Sequence, residues 1–204
     1  MKFKHLLLLV VAGFLAWIWF GNRACELPKL PADATILAFG DSLTQGVGAS
    51  RGNDYPTILA ELTGLNVVNA GISGETTAEG AKRFAAELDK ANPDLVLLLE
   101  GGNDFLRNLS EQQAEANLAT MIVQAQSRDI AVVLIAVPQK SVWLAPADLY
   151  ARLAEQYQLS WIEATLTELL GSPELKSDSV HLNEQGYRRL AEQIQSHLQQ
   201  AGAL

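Results

Sequence analysis

Four short apolar runs, residues 35–39, 66–69, 95–99 and 131–137, punctuate this chain, and the stretches between them carry apolar side chains at helical spacing. A fifth, weaker run covers residues 159–162. Tyr55, Ile58, Leu59 and Leu62 show the helical pattern, and Tyr187, Leu190, Ile194 and Leu198 repeat it near the end of the chain. Strands that are apolar on both faces must be covered on both. Their alternation with helices therefore predicts a parallel sheet joined by right-handed crossovers, a three-layer α/β fold. The 204 residues suffice for one such domain and a short extension, not for two domains.

The extension is amino-terminal. Lys2, Lys4 and His5 precede an apolar run over residues 6–20, the arrangement of an export signal or membrane anchor. At about 1.5 Å per residue this run spans roughly 22 Å, short of the ~30 Å hydrocarbon core but able to anchor with local thinning. Trp17, Trp19 and Phe20 read as an interfacial aromatic belt, and the lysines are expected to stay cytoplasmic. Asn22-Arg23-Ala24 lacks a small-x-small cleavage pattern and fits a lipobox before Cys25 poorly, so cleavage, retention and lipidation stay open. The expected organisation is a signal or anchor over residues 1–22, a linker over 23–33 and one folded domain over 34–204, exported from the cytoplasm.

Fifteen Lys and Arg oppose 23 Asp and Glu, and beyond residue 31 the balance is 11 against 22, a net of −11. A phosphate backbone meets repulsion here, which argues against a nucleic-acid partner. The single cysteine excludes an intrachain disulfide, a multi-cysteine zinc site and a CxxC redox pair.

Parallel α/β sheets bind ligands at the carboxyl ends of their strands, and the unusual residues collect there. The first run leads into Gly40-Asp41-Ser42, the second into Gly71-Ile72-Ser73-Gly74 and the third into Gly101-Gly102-Asn103-Asp104. A fourth polar cluster, residues 178–181, precedes the last helix. Acyl transfer by serine needs a base and a group that orients it. Beyond the extension only His181 and His197 are available. His197 flanks an apolar stripe, which suits packing or a surface role. His181 lies three residues after Asp178, close enough for one turn to bring the carboxylate to a ring nitrogen, although a helix-capping loop has the same composition. Ser42 is placed to project at the sheet edge, but Asp41 and Ser42 could equally cap the next helix. Ser73 reads better as part of a turn that presents backbone N–H groups. Asn103 is either a turn residue or a side-chain donor to an oxyanion.

Gly40-Asp41-Ser42-Leu43, Asn69-Ala70-Gly71-Ile72-Ser73-Gly74, Gly101-Gly102-Asn103-Asp104 and Asp178-x-x-His181 together resemble, in order, the four blocks of the SGNH hydrolases, also called the GDSL family. The resemblance covers residues 34–200. The stretch from Gly101 to Arg107 is similar to the branch of bacterial periplasmic acyl-thioesterases, arylesterases and lysophospholipases. It implies a parallel, flavodoxin-like five-stranded sheet, with Ser42 as nucleophile, His181 as general base and Asp178 as its orienting carboxylate. By the same resemblance the oxyanion donors are the backbone N–H groups of Ser42 and Gly71 and the Asn103 amide. No metal and no organic cofactor is implied. Leu182 stands where many members have proline after the histidine, a departure that bears on the rigidity of the loop.

The expected partner is a small acyl ester or thioester, with the domain periplasmic or tethered to the outer face of the inner membrane. Phe105, Leu106 and Leu109 follow the asparagine, and Val142, Trp143 and Leu144 follow the fourth run, so both loops are candidates to wall an acyl site or to serve as core or membrane-facing residues. A deacetylase of cell-envelope carbohydrate would use the same residues with a shallower, polar pocket. A membrane-tethered binding module without turnover is the non-enzymatic reading. A flavodoxin-like phosphate binder is disfavoured for want of a basic clamp.

Overall fold

The computed structural model describes residues 26–139 and 144–204. Strand β1 (Thr35–Gly40) runs into a one-turn helix α1 (Ser42–Gln45), followed by α2 (Tyr55–Thr63) and β2 (Asn66–Gly71). Helix α3 (Thr77–Ala91), β3 (Leu95–Leu99), the short α4 (Gly102–Leu106), α5 (Glu111–Gln126) and β4 (Ala131–Ile135) come next. A two-residue pair, β5 (Pro138–Gln139) and β6 (Ala145–Pro146), precedes α6 (Asp148–Tyr157), β7 (Ser160–Ile162), α7 (Thr165–Gly171), a 3₁₀ turn (Pro173–Leu175) and α8 (Glu184–Gln200). The five-stranded sheet has the order β2-β1-β3-β4-β7, and every pairing in it is parallel.

The apolar runs set this order. Every residue of β3 is buried, and so is all of β1 after Thr35, as central strands covered on both faces require. β2 carries Asn66 and Asn69 and stays half-exposed at the sheet edge. The fourth apolar run continues to Val137, but β4 ends at Ile135. Pro138 lacks an N–H for the ladder, and the chain turns there into the antiparallel β5–β6 pair that the sequence pattern does not foreshadow. Helices begin where side chains satisfy their free N–H groups. Asp54 accepts from Thr57 N at 3.0 Å before α2, and Asn183 accepts from Gly186 N at 3.0 Å before α8. The stripe Tyr187, Leu190, Ile194 and Leu198 is wholly buried, and Phe39 meets Phe84 edge to face at 4.8 Å.

The segment expected to be a linker is docked from Leu27 onward. Leu27 N and Leu30 N donate to the carbonyls of Ala201 and Ala203, each at 2.9 Å, and Leu30 is buried. The residues before Glu26, including the apolar run, lie outside the described residues. Among the described residues no helix is long and apolar enough to cross a membrane.

Candidate active site

The sheet order reverses direction between β1 and β3, and open sheets of this kind bind ligands in the crevice beyond the strand ends at such a point. Ser42 leaves β1 there through a turn that only glycine permits. A Cβ on Gly40 would sit 1.9 Å from the Leu99 carbonyl oxygen and 2.4 Å from Thr44 Oγ1. Asp41 Oδ1 then accepts from Leu43 N at 2.9 Å and caps α1. Ser42 N–H, at the start of that helix, has no partner among the described residues. Helix α1 is braced from β2, because Asn69 Nδ2 donates to the Thr44 carbonyl at 2.9 Å.

Opposite lies the loop that leads into α8. Asp178 Oδ1 accepts from Val180 N and His181 N, both at 2.8 Å, closing a tight turn. Its second oxygen is thereby aimed at His181 Nδ1, 2.7 Å away. An ionised carboxylate can only accept, so the ring proton sits on Nδ1 and Nε2 is left as the acceptor. Nε2 lies 3.0 Å from Ser42 Oγ. Burial works to raise Asp178, but the bonds from the His181 ring and from the Val180 and His181 N–H groups outweigh it and hold the carboxyl down at about 2. Two further contacts tie α8 to the loop after α1: Tyr187 OH donates to the Val47 carbonyl at 2.7 Å, and Ser50 Oγ donates to Glu184 Oε1 at 2.5 Å.

The third wall comes from the turns after β2 and β3. Gly71 does not reach the cleft. Its N–H donates to Asn69 Oδ1 at 2.9 Å, and a Cβ there would lie 2.1 Å from Gln45 N, so this glycine packs under α1 instead of facing Ser42. Gly74, three residues on, does line the cleft beside Ser42 and Asn103, and among the described residues its N–H has no partner. The placement expected of Gly71 therefore belongs to Gly74. The strand continues through Gly71, which puts the turn later than the first glycine suggests. Ser73 also lines the cleft, with its N–H donated to Gln45 Oε1 at 2.7 Å. Asn103 Nδ2 donates to the Glu75 carbonyl at 2.8 Å and faces Asp41 Oδ2 at 3.3 Å.

Beneath these donors lies a set of carboxyl groups whose position the sequence does not announce. Asp41, Glu75, Glu100 and Asp104 are all buried. Asp104 is satisfied by Thr77 N at 2.9 Å and Thr77 Oγ1 at 2.7 Å, and Glu75 by Arg83. Burial, with Glu75 and Asp104 adding to it, pushes Asp41 up to about 6 against the opposing Leu43 N–H and His181. Both oxygens of Glu100 lack a partner among the described residues. Burial first, and then Asp41, Glu75 and Asp104, hold its carboxyl well above the usual range, so it stays protonated where an exposed glutamate is charged.

The cleft above has a volume of about 470 Å³, and Ser42 and His181 are part of its lining. Phe105, Leu106 and Leu144 line it as the sequence suggests, and Leu43, Val137, Pro138, Leu170 and Val180 add to its apolar side. Leu109 does not line it and lies exposed on the surface. Val142 and Trp143 lie outside the described residues. Among the described residues no group of acidic, histidine or cysteine side chains is arranged to hold a metal ion.

The family described as GDSL-like Lipase/Acylhydrolase matches this chain over residues 38–189. The chain belongs to this family. This GDSL-family hydrolase is 29% identical over 185 residues to an arylesterase of Vibrio mimicus, covering 85% of this chain and 92% of the relative. It is 30% identical over 179 residues to a thioesterase, protease and lysophospholipase of Escherichia coli, covering 84% and 86%. Among solved structures, the SGNH-hydrolase family esterase AlinE4 superposes with a TM-score of 0.65 at 31% identity, covering 85% of this chain and 98% of that one. The GDSL hydrolase described above is an enzyme that cleaves ester bonds on the SGNH fold.

Proposed function

We propose that this GDSL-family enzyme hydrolyses esters and thioesters of acyl chains through an acyl-enzyme on Ser42. The observation that carries the reading is the relay from Asp178 Oδ2 to His181 Nδ1 at 2.7 Å and from His181 Nε2 to Ser42 Oγ at 3.0 Å. Ser42 Oγ attacks the carbonyl carbon as His181 Nε2 takes its proton. The negative charge that forms on the carbonyl oxygen is met by the N–H groups of Ser42 and Gly74 and by Asn103 Nδ2. Collapse of this intermediate returns the proton to the departing alcohol or thiol. Water then attacks the acyl-enzyme with His181 as base and releases the acid. Asp178 holds the ring tautomer and stabilises the imidazolium without giving up its own charge.

The apolar side of the cleft supports an acyl chain over an acetylated sugar, whose hydroxyl groups need polar partners. Turnover of a series from acetyl to lauroyl esters of one phenol tests this. The expected maximum lies beyond acetyl, and a strict acetyl preference would favour the carbohydrate deacetylase. Residues 26–204 form the proposed catalytic unit, and the apolar run ahead of it is proposed to export or tether it with the cleft outside the cytoplasm. Protease accessibility of the domain in intact spheroplasts tests that placement, and a domain protected until lysis would contradict it.

A further inference from the structure

We propose that Arg83 and Glu75 form the positioning pair of the oxyanion hole, an inference that rests on the reading of Asn103 and Gly74 as its donors. Glu75 follows Gly74 directly, and its carbonyl accepts from Asn103 Nδ2. A carbonyl can only accept, so this bond settles which end of the Asn103 amide points inward and fixes the plane in which the second N–H lies. Whatever holds the Glu75 backbone therefore aims the amide.

Glu75 N donates to the Ile72 carbonyl at 3.2 Å and Arg107 Nη2 to the Gly74 carbonyl at 2.6 Å, and the Glu75 side chain is held by Arg83, on the second turn of α3 and outside the cleft lining. Its Nε donates to Glu75 Oε1 at 2.7 Å and its Nη2 to Glu75 Oε2 at 2.5 Å, a two-pronged fork that allows one orientation. The same Nη2 donates to the Ala70 carbonyl at 2.8 Å and lies 3.4 Å from the Gly40 carbonyl. The guanidinium stacks 4.0 Å from the centroid of the Phe39 ring. One planar group thus joins the end of β1, which delivers the nucleophile, to the end of β2 and to the loop that carries Gly74 and the Asn103 acceptor. Glu75 is buried, and the Arg83 side chain is 18% exposed, so water competes little for these bonds. Glu87 also faces Arg83, at 3.7 Å, from the next turn of α3. Arg83 further supplies positive charge beside Glu75 and acts against the raised carboxyl of Glu100, and so limits the negative field beneath the place where an oxyanion forms.

Lysine keeps the charge but not the fork. Arg83→Lys is expected to lower kcat by about 10- to 100-fold with little change in KM, since misplacing a donor by an ångström is felt mainly when the oxyanion forms. The discriminating measurement repeats the substitution in an Asn103→Ala background. There a positioning residue has no donor left to aim, and the further loss is expected to stay within about threefold. Equal losses in the two backgrounds, or a folded Arg83→Lys enzyme with unchanged kcat, overturn the proposal. If Arg83→Lys does not fold, Glu75→Gln and Glu75→Ala give the same cycle. Gln retains an oxygen for one N–H of the fork and is expected to keep more kcat than Ala, and equal activity of the two contradicts the pair. An Asn103→Ala enzyme of full activity would instead remove the oxyanion reading itself, and this inference with it.

Discussion

Asn103 gives one N–H of its amide to the Glu75 carbonyl at 2.8 Å and turns the other toward Asp41 Oδ2 at a looser 3.3 Å. The long contact is the one that can be exchanged for a negatively charged substrate oxygen, because little is lost in leaving it. Asn103→Ala is expected to lower kcat by about 100- to 1,000-fold with a small change in KM, roughly 2.7–4 kcal/mol of transition-state stabilisation. Asn103→Asp should do at least as much damage, since it sets oxygen against the Glu75 carbonyl and the Asp41 carboxyl. Steady-state kinetics on an activated ester decide, and a near-wild-type kcat in a folded Asn103→Ala enzyme would assign the donor role elsewhere.

His197 is more than a flank of the last helix. Its Nε2 lies 2.7 Å from Ser160 Oγ, and Ser160 is buried on β7. His197→Ala should leave kcat unchanged and destabilise the domain by about 1 kcal/mol, from the missing hydrogen bond and the serine left without it. Burial lowers the pKa of His197. The unfolded chain therefore binds this proton first as pH falls below about 6.5, and stability drops on acidification through that range. The variant's melting temperature should fall less steeply there, and parallel curves would contradict this.

The strands and their parallel pairing are legible in the buried apolar runs, whereas Ser42, Asp178, His181 and Asn103, each of which alone also suits a cap or a turn, are singled out by the resemblance of four ordered blocks to the SGNH hydrolases. The misplacement of Gly71 has a local origin. Two glycines three residues apart both permit a turn, and only the Asn69 contact and the packing against Gln45 show which one β2 absorbs. Arg83, Glu75 and Glu100 could not be read, because a lone charged residue at the end of a run or on a helix looks solvated until the fold buries it. Leu170 lies outside all four blocks and Val180 is the one apolar residue within the fourth, and only the folded chain brings both to the cleft as an apolar wall.

Leu106, the last residue of α4, and Leu144, just before β6, line the cleft, whereas Leu109, three residues after Leu106, does not. Leu106→Ser and Leu144→Ser should each reduce kcat/KM for octanoyl esters more than for acetyl esters, by about tenfold or less per substitution. Leu109→Ser should leave the ratio unchanged. A uniform effect across chain lengths would remove these residues from the acyl wall.

Glu100 makes an opposite pH signature to the usual surface carboxylate. Its folded pKa is raised, so as pH rises above about 4.5 the unfolded chain releases a proton that the folded chain retains, and stability declines until the folded pKa is passed. Asp41, raised to about 6, acts in the same direction between about 4 and 6. Glu100→Gln removes the ionisation while keeping the shape. Its melting temperature relative to wild type should climb between pH 5 and pH 8, and a constant difference would show that Glu100 is charged or hydrated in the fold.

Ser42 is the proposed activated nucleophile because His181 Nε2 stands 3.0 Å from its Oγ. Intact-protein and peptide mass spectrometry after treatment with a fluorophosphonate tests it most directly. One phosphonyl group per chain is expected, located on Ser42, absent in Ser42→Ala and much slowed in His181→Ala. An adduct on Ser73 or any other residue, or stoichiometric labelling that survives Ser42→Ala, would contradict it.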